Sequence, residues 1–367
     1  MANGTNKAVR PALVISEQTV TKFPTLLGRL LVGYADKSIA VVLVVPPQID
    51  VQPFLCGVET VIYHPPADVP FAERFDRVRL LKTLRKCKPT VLHCLCESKA
   101  SLVRLWARLL DLPYVLNVNS LQPRFSGLSI SATRCRKIVC LTESIAETVR
   151  AQVADASDRI AVLGIGTFPE QSCSCFAEPF CLPLLLLAGD IDEMAPLEHL
   201  FEAIHDLVRD RYEFAVVVMG EGRAESELRQ VLAERKLNQI VTIVPEIHPW
   251  RSVLAAADIF LEPRALKRFS SFLLEAMSVG AAVAACRGGI DDLIIDKQTA
   301  LVFDSDDSLS IRAVLQRLLD RHELARQLAQ GAQKHLRRHH SVSHMIEGYL
   351  QVYREAGEPS ESAAELS

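Results

Sequence analysis

Residues 257–286 read ADIFLEPRALKRFSSFLLEAMSVGAAVAAC. An apolar run ends at Glu262-Pro263, a polar turn follows, then an apolar segment with helical character up to Gly280, then a second apolar run. Strand, helix and strand in that order is the building unit of an α/β sheet. The turn between the first strand and the helix is where such proteins grip ligands. Here it carries Lys267 and Arg268, with Glu275 eight positions beyond the lysine.

The alternation recurs on both sides of this stretch. Towards the N-terminus lie the short β-branched runs ALVIS, IAVVLVV, TVIYH, TVLHCL, YVLNV, KIVCL and IAVLG. Helix-patterned segments such as Ser101 to Leu110 and Ser144 to Val153 separate several of them. At Thr167 the pattern breaks into TFPEQSCSCFAEPFCLP, rich in Pro, Ser and Cys, and a second series follows: LLLLAG, FAVVVMG, VTIV, IFLEP, AAVAAC and ALVF. The pattern predicts an α/β chain of two Rossmann-like, doubly wound domains, residues 1–168 and 184–340, joined by a linker over 169–183. A charged helical stretch from Ser308 to His340 closes the second domain. An amphipathic terminal helix is expected within 341–356, and the acidic Ser/Glu/Ala tail over 357–367 is expected to be disordered.

Composition narrows the function classes. A chain of 367 residues with 49% hydrophobic content suffices for two cores. A formal net charge of -3 and a pI near 6.4 give no bulk reason to expect nucleic acid as a partner. The longest apolar runs, Ile39 to Val45 and Leu182 to Gly189, are strand-length, far below the ~20 residues of a membrane span. The polar N-terminus has no apolar signal segment, and the ten cysteines sit mostly in apolar strands, so a cytoplasmic protein with reduced thiols is expected. Neither Cys94/Cys96 nor Cys173/Cys175 has a second ligand pair at zinc spacing, and no metal site is expected.

Three turns in the second series offer glycines where a strand ends: Gly189 with Asp190, Gly220 with Gly222, and Gly288 with Gly289. Positive φ and close backbone approach suit an anion there, although such glycines also simply make tight turns. Taken with LLEAMSVG they resemble the nucleotide-sugar domain of family-4 glycosyltransferases, the group 1 glycosyltransferases. That family has the GT-B fold, in which two Rossmann-like domains face a central cleft. The resemblance runs ungapped from Ala257 to Asp307, with weaker echoes in VVMGEG, TVLHCL and IVCLTESIAETV. The terminal HSVSHMIEGYLQVYREAG looks like the family's last helix, which crosses back to the first domain.

The resemblance implies retaining sugar transfer from a nucleotide diphosphate sugar, with no cofactor or metal required. It assigns Glu275 to the ribose hydroxyls and Gly288 and Gly289 to the donor loop. A carboxylate favoured by a helix dipole is the plainer account of Glu275. Other positions depart from the family. Asp190 and Ala195 stand where it has an arginine and a lysine for the phosphates, Lys267 stands for the first glutamate of its Glu-x7-Glu motif, and Asn119 stands for a histidine near the reacting centre. The glycine-rich loop after the first strand is missing.

Charge-assisted hydrogen bonds contribute roughly 1.5 to 3 kcal/mol each, so two missing cations cost about 3 to 6 kcal/mol, or roughly two to four decades of donor affinity. Three readings of Lys267 stay open. It pairs with Asp190 and fills the pocket; it or Arg268 takes over the phosphates; or it is a solvated lysine. The function expected is that of a transferase homologue with weak or no catalysis, acting as a partner or regulator in glycan assembly. The alternatives are an active enzyme with a remodelled donor site and a nucleotide or anion sensor. His93, in TVLHCL, is a further catalytic candidate or a satisfied strand-end histidine. The basic segment from Ala72 to Pro89, with Phe75, Val78 and Leu81 set against Arg74, Arg77, Arg85 and Lys88, suits either an anionic membrane surface or a solvated helix.

Overall fold

The structure is a computed structural model that describes residues 9–47, 49–64, 72–121, 130–178, 181–290 and 292–358. It separates into two compact units, residues 1–166 with 342–367, and residues 167–341.

The first unit is built on seven parallel strands, β1 (Pro11–Val14), β2 (Val41–Val45), β3 (Val58–Tyr63), β4 (Val91–Cys94), β5 (Tyr114–Val118), β6 (Cys135–Cys140) and β7 (Ile160–Val162). Their order is β3-β2-β1-β4-β5-β6-β7. β1, β2, β4 and β5 are buried at every residue, as expected of parallel strands covered on both faces; β1 and β2 read as unbroken apolar runs, while β4 and β5 each bury one polar residue, His93 and Asn117. Five helices intervene: α1 (Glu17–Lys22), α2 (Pro24–Asp36), α3 (Ala72–Cys87), α4 (Ala100–Leu110) and α5 (Glu143–Gln152). Local chemistry sets their ends. Ser16 and Thr142 cap α1 and α5 through side-chain oxygens, and Pro24 opens α2 where no amide partner is needed.

The second unit carries six parallel strands, β8 (Leu184–Ala188), β9 (Ala215–Met219), β10 (Val241–Val244), β11 (Ile259–Glu262), β12 (Ala282–Cys286) and β13 (Leu301–Phe303), ordered β10-β9-β8-β11-β12-β13. Its helices are α6 (Ala195–Arg209), α7 (Glu225–Glu234), α8 (Trp250–Leu254), α9 (Ser271–Val279), α10 (Ser308–Asp320) and α11 (His322–His339). The charged stretch expected as one helical region is thus two helices, broken at Arg321, whose φ of -126° and ψ of 72° are not helical. α9 is capped by the Ser270 hydroxyl on Leu273 N (3.2 Å) and closed by Gly280 at φ 87°.

Residues read as a linker belong to the second unit. Glu170 N donates to Ser278 O at 2.8 Å, Ser174 N to Val279 O at 3.2 Å and Cys175 N to Gly280 O at 3.1 Å. Phe176 N donates to Asp258 Oδ1 at 2.5 Å, and Cys175 and Phe176 join the core. The segment is a strap, and its lack of periodicity reflects backbone bonding to the end of α9 rather than freedom.

The last helix, α12 (Val342–Gly357), packs on the first unit with Met345, Ile346, Tyr349, Val352, Tyr353 and Ala356 buried at helical spacing. A Cβ placed on Gly33 of α2 would lie 2.4 Å from the Ile346 side chain, so only glycine allows α2 and α12 to approach this closely. The tail beyond Glu358 lies outside the described residues.

Candidate functional site

In the second unit's sheet the chain steps outward from β8 to β9 and β10, then returns to place β11, β12 and β13 on the other side. The loops after β8 and β11 therefore diverge at a topological switch point, where open α/β sheets bind ligands. Gly189, Asp190, Gly220, Gly222, Gly288, Gly289, Lys267 and Arg268 all lie on loops that follow β8, β9, β11 or β12.

Packing explains several of these glycines. Gly220 has φ 153°, and a Cβ on it would stand 2.0 Å from Gly189 O. A Cβ on Gly222 would stand 2.3 Å from the backbone of Ile191, whose N–H donates to Glu221 O at 3.0 Å. The first two loops are thus laced together. Gly289, at φ 78°, lies against Leu266, and Ile290 N donates to Leu266 O at 2.7 Å, which ties the loop after β12 to the loop after β11. Gly288 differs: it is exposed at φ 94°, and nothing lies within 4 Å of a Cβ built on it.

Of the three readings of Lys267, the pair with Asp190 is not formed. Lys267 is exposed and joins none of the ion pairs among the described residues. Its neighbour Arg268 makes the contact, with Nη2 3.3 Å from Asp190 Oδ2, while Arg264 Nη1 donates to Asp190 O at 2.5 Å. The backbone of Leu266 is fixed by the loop after β12, and Lys267 next to it projects into solvent.

Sequence reading missed Glu262 and Arg264. Glu262 ends β11 with its side chain 3% exposed, and its Oε1 lies 3.7 Å from Arg264 Nε. That oxygen has no hydrogen-bond partner. Burial pushes the carboxyl up to about 7, against the opposing pull of Arg264. A glutamate between an apolar run and a proline reads as the exposed start of a turn; its burial comes from tertiary cover, which no local pattern encodes.

Glu275 is engaged within its own unit. Oε1 accepts from Thr167 Oγ1 at 3.1 Å, and Oε2 accepts from Arg251 Nη1 at 2.8 Å and Ser278 Oγ at 3.1 Å. Arg251 also reaches Phe168 O at 2.6 Å and Glu170 Oε1 at 2.8 Å. With its side chain 5% exposed, the carboxylate is held by this network. A cavity of about 540 Å³ beside Arg251 is lined by Glu170, Ser172, Ser174 and Ser252 and by none of the glycine-turn residues.

In the first unit, His93 lies fully inside the core and not at an open strand end. Asn117 Nδ2 donates to Tyr349 Oη at 2.8 Å, so its Oδ1 accepts from His93 Nε2 at 2.8 Å. His93 Nδ1 then accepts from the Tyr353 hydroxyl at 2.6 Å, and Tyr34 donates to Tyr353 at 2.9 Å. Every ring nitrogen is used, and burial lowers the imidazole to about 4, so it stays neutral. This network ties α12 to β4 and β5. Asn119, beyond β5, is buried with Nδ2 donating to Leu95 O at 2.8 Å. On α3, Leu81 is buried and Val78 is 62% exposed, so the two do not share an apolar face; side chains of residues 72–77 lie outside the described residues. Arg79, Lys82, Arg85 and Lys88 are exposed. No described helix is long and apolar enough to cross a membrane, and no three described His, Cys, Asp or Glu side chains gather to hold a metal.

Comparison with known proteins agrees with this architecture. Residues 182–335 match the family model "Glycosyl transferases group 1". The chain is 26% identical over 180 residues to alpha-D-kanosaminyltransferase of Streptomyces kanamyceticus, covering 48% of this chain and 46% of that protein. It is 30% identical over 162 residues to D-inositol 3-phosphate glycosyltransferase of Acidothermus cellulolyticus, covering 42% and 36%. These matches span less than half of each relative. Among solved structures, a glycosyltransferase from Rickettsia africae superposes with a TM-score of 0.80 at 13% identity, over 96% of this chain and all of that one. Anabaena HepE in complex with UDP superposes with a TM-score of 0.75 at 12% identity, covering 94% and 99%. Residues 182–335 are thus similar to the group 1 glycosyltransferases, and the two parallel-sheet units have the GT-B fold.

Proposed function

We infer that this chain is a group 1 glycosyltransferase homologue whose donor site has lost most of its transfer chemistry, and that it acts as a non-catalytic partner or regulator in cytoplasmic glycan assembly. One observation carries the reading: Asp190, which the resemblance sets at the position of a phosphate cation, is paired with Arg268 at the switch point. A carboxylate there opposes the negative charge that grows on a leaving diphosphate, so rate suffers as well as affinity. Two further features support it. Lys267, at the place of the first motif glutamate, stands in solvent, and Glu275 is already bound by Arg251, Ser278 and Thr167.

A second reading, a remodelled site that still binds and uses a donor, is favoured by the arginines gathered near Gly189. Titration calorimetry of the full chain with nucleoside diphosphates and their sugars, each mixture assayed for released sugar, separates the two. Absence of sugar release across the panel supports the first reading. Sustained release above the protein-free rate overturns it.

A further inference from the structure

Arg264 is placed as a ligand-facing group. Its Nη2 lies 2.8 Å from where a Gly189 Cβ would be, so the guanidinium covers the glycine at the switch point. Nη1 is spent on Asp190 O and Nε faces Glu262 Oε1. Among the described residues Nη2 has no hydrogen-bond acceptor, and the side chain is 29% exposed, so Nη2 is the guanidinium nitrogen left for a ligand. Beneath it, the Glu262 carboxylate is sealed from water with Oε1 lacking any hydrogen bond, an arrangement that leaves the nearby cation as its main compensation.

We propose that Arg264, aimed across Gly189 and held by the buried carboxylate of Glu262, receives a diphosphate at this switch point, supplying from the loop after β11 a cation that the loop after β8 lacks. The proposal rests on reading this pocket as the family's donor site. Diphosphate is the class that fits: Nη2 offers a charge-assisted N–H to a phosphate oxygen, and exposed Lys267, Arg268 and Arg287 stand on the same loop pair. The open backbone at Gly288 leaves room beside them. Glu262 is a positioning residue and does not touch the ligand.

The test is calorimetric titration of the full chain with inorganic pyrophosphate and with UDP, for wild type, Arg264→Gln, Arg264→Lys, Glu262→Gln and the double variant. Arg264→Gln is expected to weaken both ligands about ten- to a hundredfold, with Arg264→Lys recovering part of the loss. Glu262→Gln is expected to weaken binding about threefold to tenfold when Arg264 is present and to change nothing in the Arg264→Gln background, because it acts only through the guanidinium. If Arg264→Gln fails to fold, Arg264→Lys against wild type decides. Wild-type protein that binds neither ligand, or Arg264→Gln protein that binds as tightly as wild type, overturns the proposal. Neither result touches the inferred loss of transfer, which only sugar release contradicts.

Discussion

Glu262 and His93 are both fully buried, yet burial moves them in opposite directions because the charged form is the costly one in each. The folded Glu262 carboxyl, raised from 4.5 to about 7, holds its proton where the unfolded one has lost it. Its favourable contribution is complete below about pH 4.5 and disappears as pH rises through 7, a swing of about 3 kcal/mol. Glu262→Gln should abolish that swing: chemical denaturation at pH 5 and pH 8 is expected to show the variant losing less stability with rising pH than wild type. Residues of this kind set the limit of what was legible. Lys267, Asp190 and Glu275 were found through the resemblance to a family pattern. Glu262 and Arg264 were not, since a carboxylate and an arginine around a proline look like ordinary turn polarity. Which of the three readings of Lys267 holds was not legible, because side-chain direction on an irregular turn has no period to read; Arg268, not Lys267, pairs with Asp190.

At the scale of elements, two tethers matter more than any helix propensity. Arg251 on α8 ties Glu275 on α9 to the strap at Phe168 and Glu170. Arg251→Leu removes the cation paired with the buried carboxylate, and equilibrium unfolding should show a loss of about 2 to 4 kcal/mol. The second tether is the chain from Tyr34 through Tyr353, His93 and Asn117 to Tyr349, which holds α12 on the first unit. Tyr353→Phe removes the donor to His93 Nδ1 and leaves a buried nitrogen unpaired, costing about 1 to 3 kcal/mol by the same measurement. Strands and the terminal helix were legible because apolar runs and helical spacing encode them directly. The strap was not, since it is held by backbone bonds to α9 that leave no mark on side-chain pattern, and its Pro and Ser content mimics a linker.

For the whole molecule, the two units respond to acid in opposite senses. His93, lowered from 6.5 to about 4, contributes stability that is present above pH 6.5 and lost as pH falls towards 4. Between pH 5 and 6.5 the first unit should therefore gain protection and the second lose it, read by hydrogen exchange, corrected for intrinsic rate, at β4 and β5 against β8 and β11. The two-sheet architecture was legible strand for strand, since parallel strands covered on both faces are predominantly apolar. Activity is less legible, because it turns on a few charges at one switch point. The most direct test is sugar release from a panel of nucleotide diphosphate sugars by wild-type protein and by the chain carrying Asp190→Arg, Ala195→Lys and Lys267→Glu. The account predicts release at the protein-free rate for wild type and a measurable gain in the restored chain. Wild-type release well above that rate, unimproved by restoration, would contradict it.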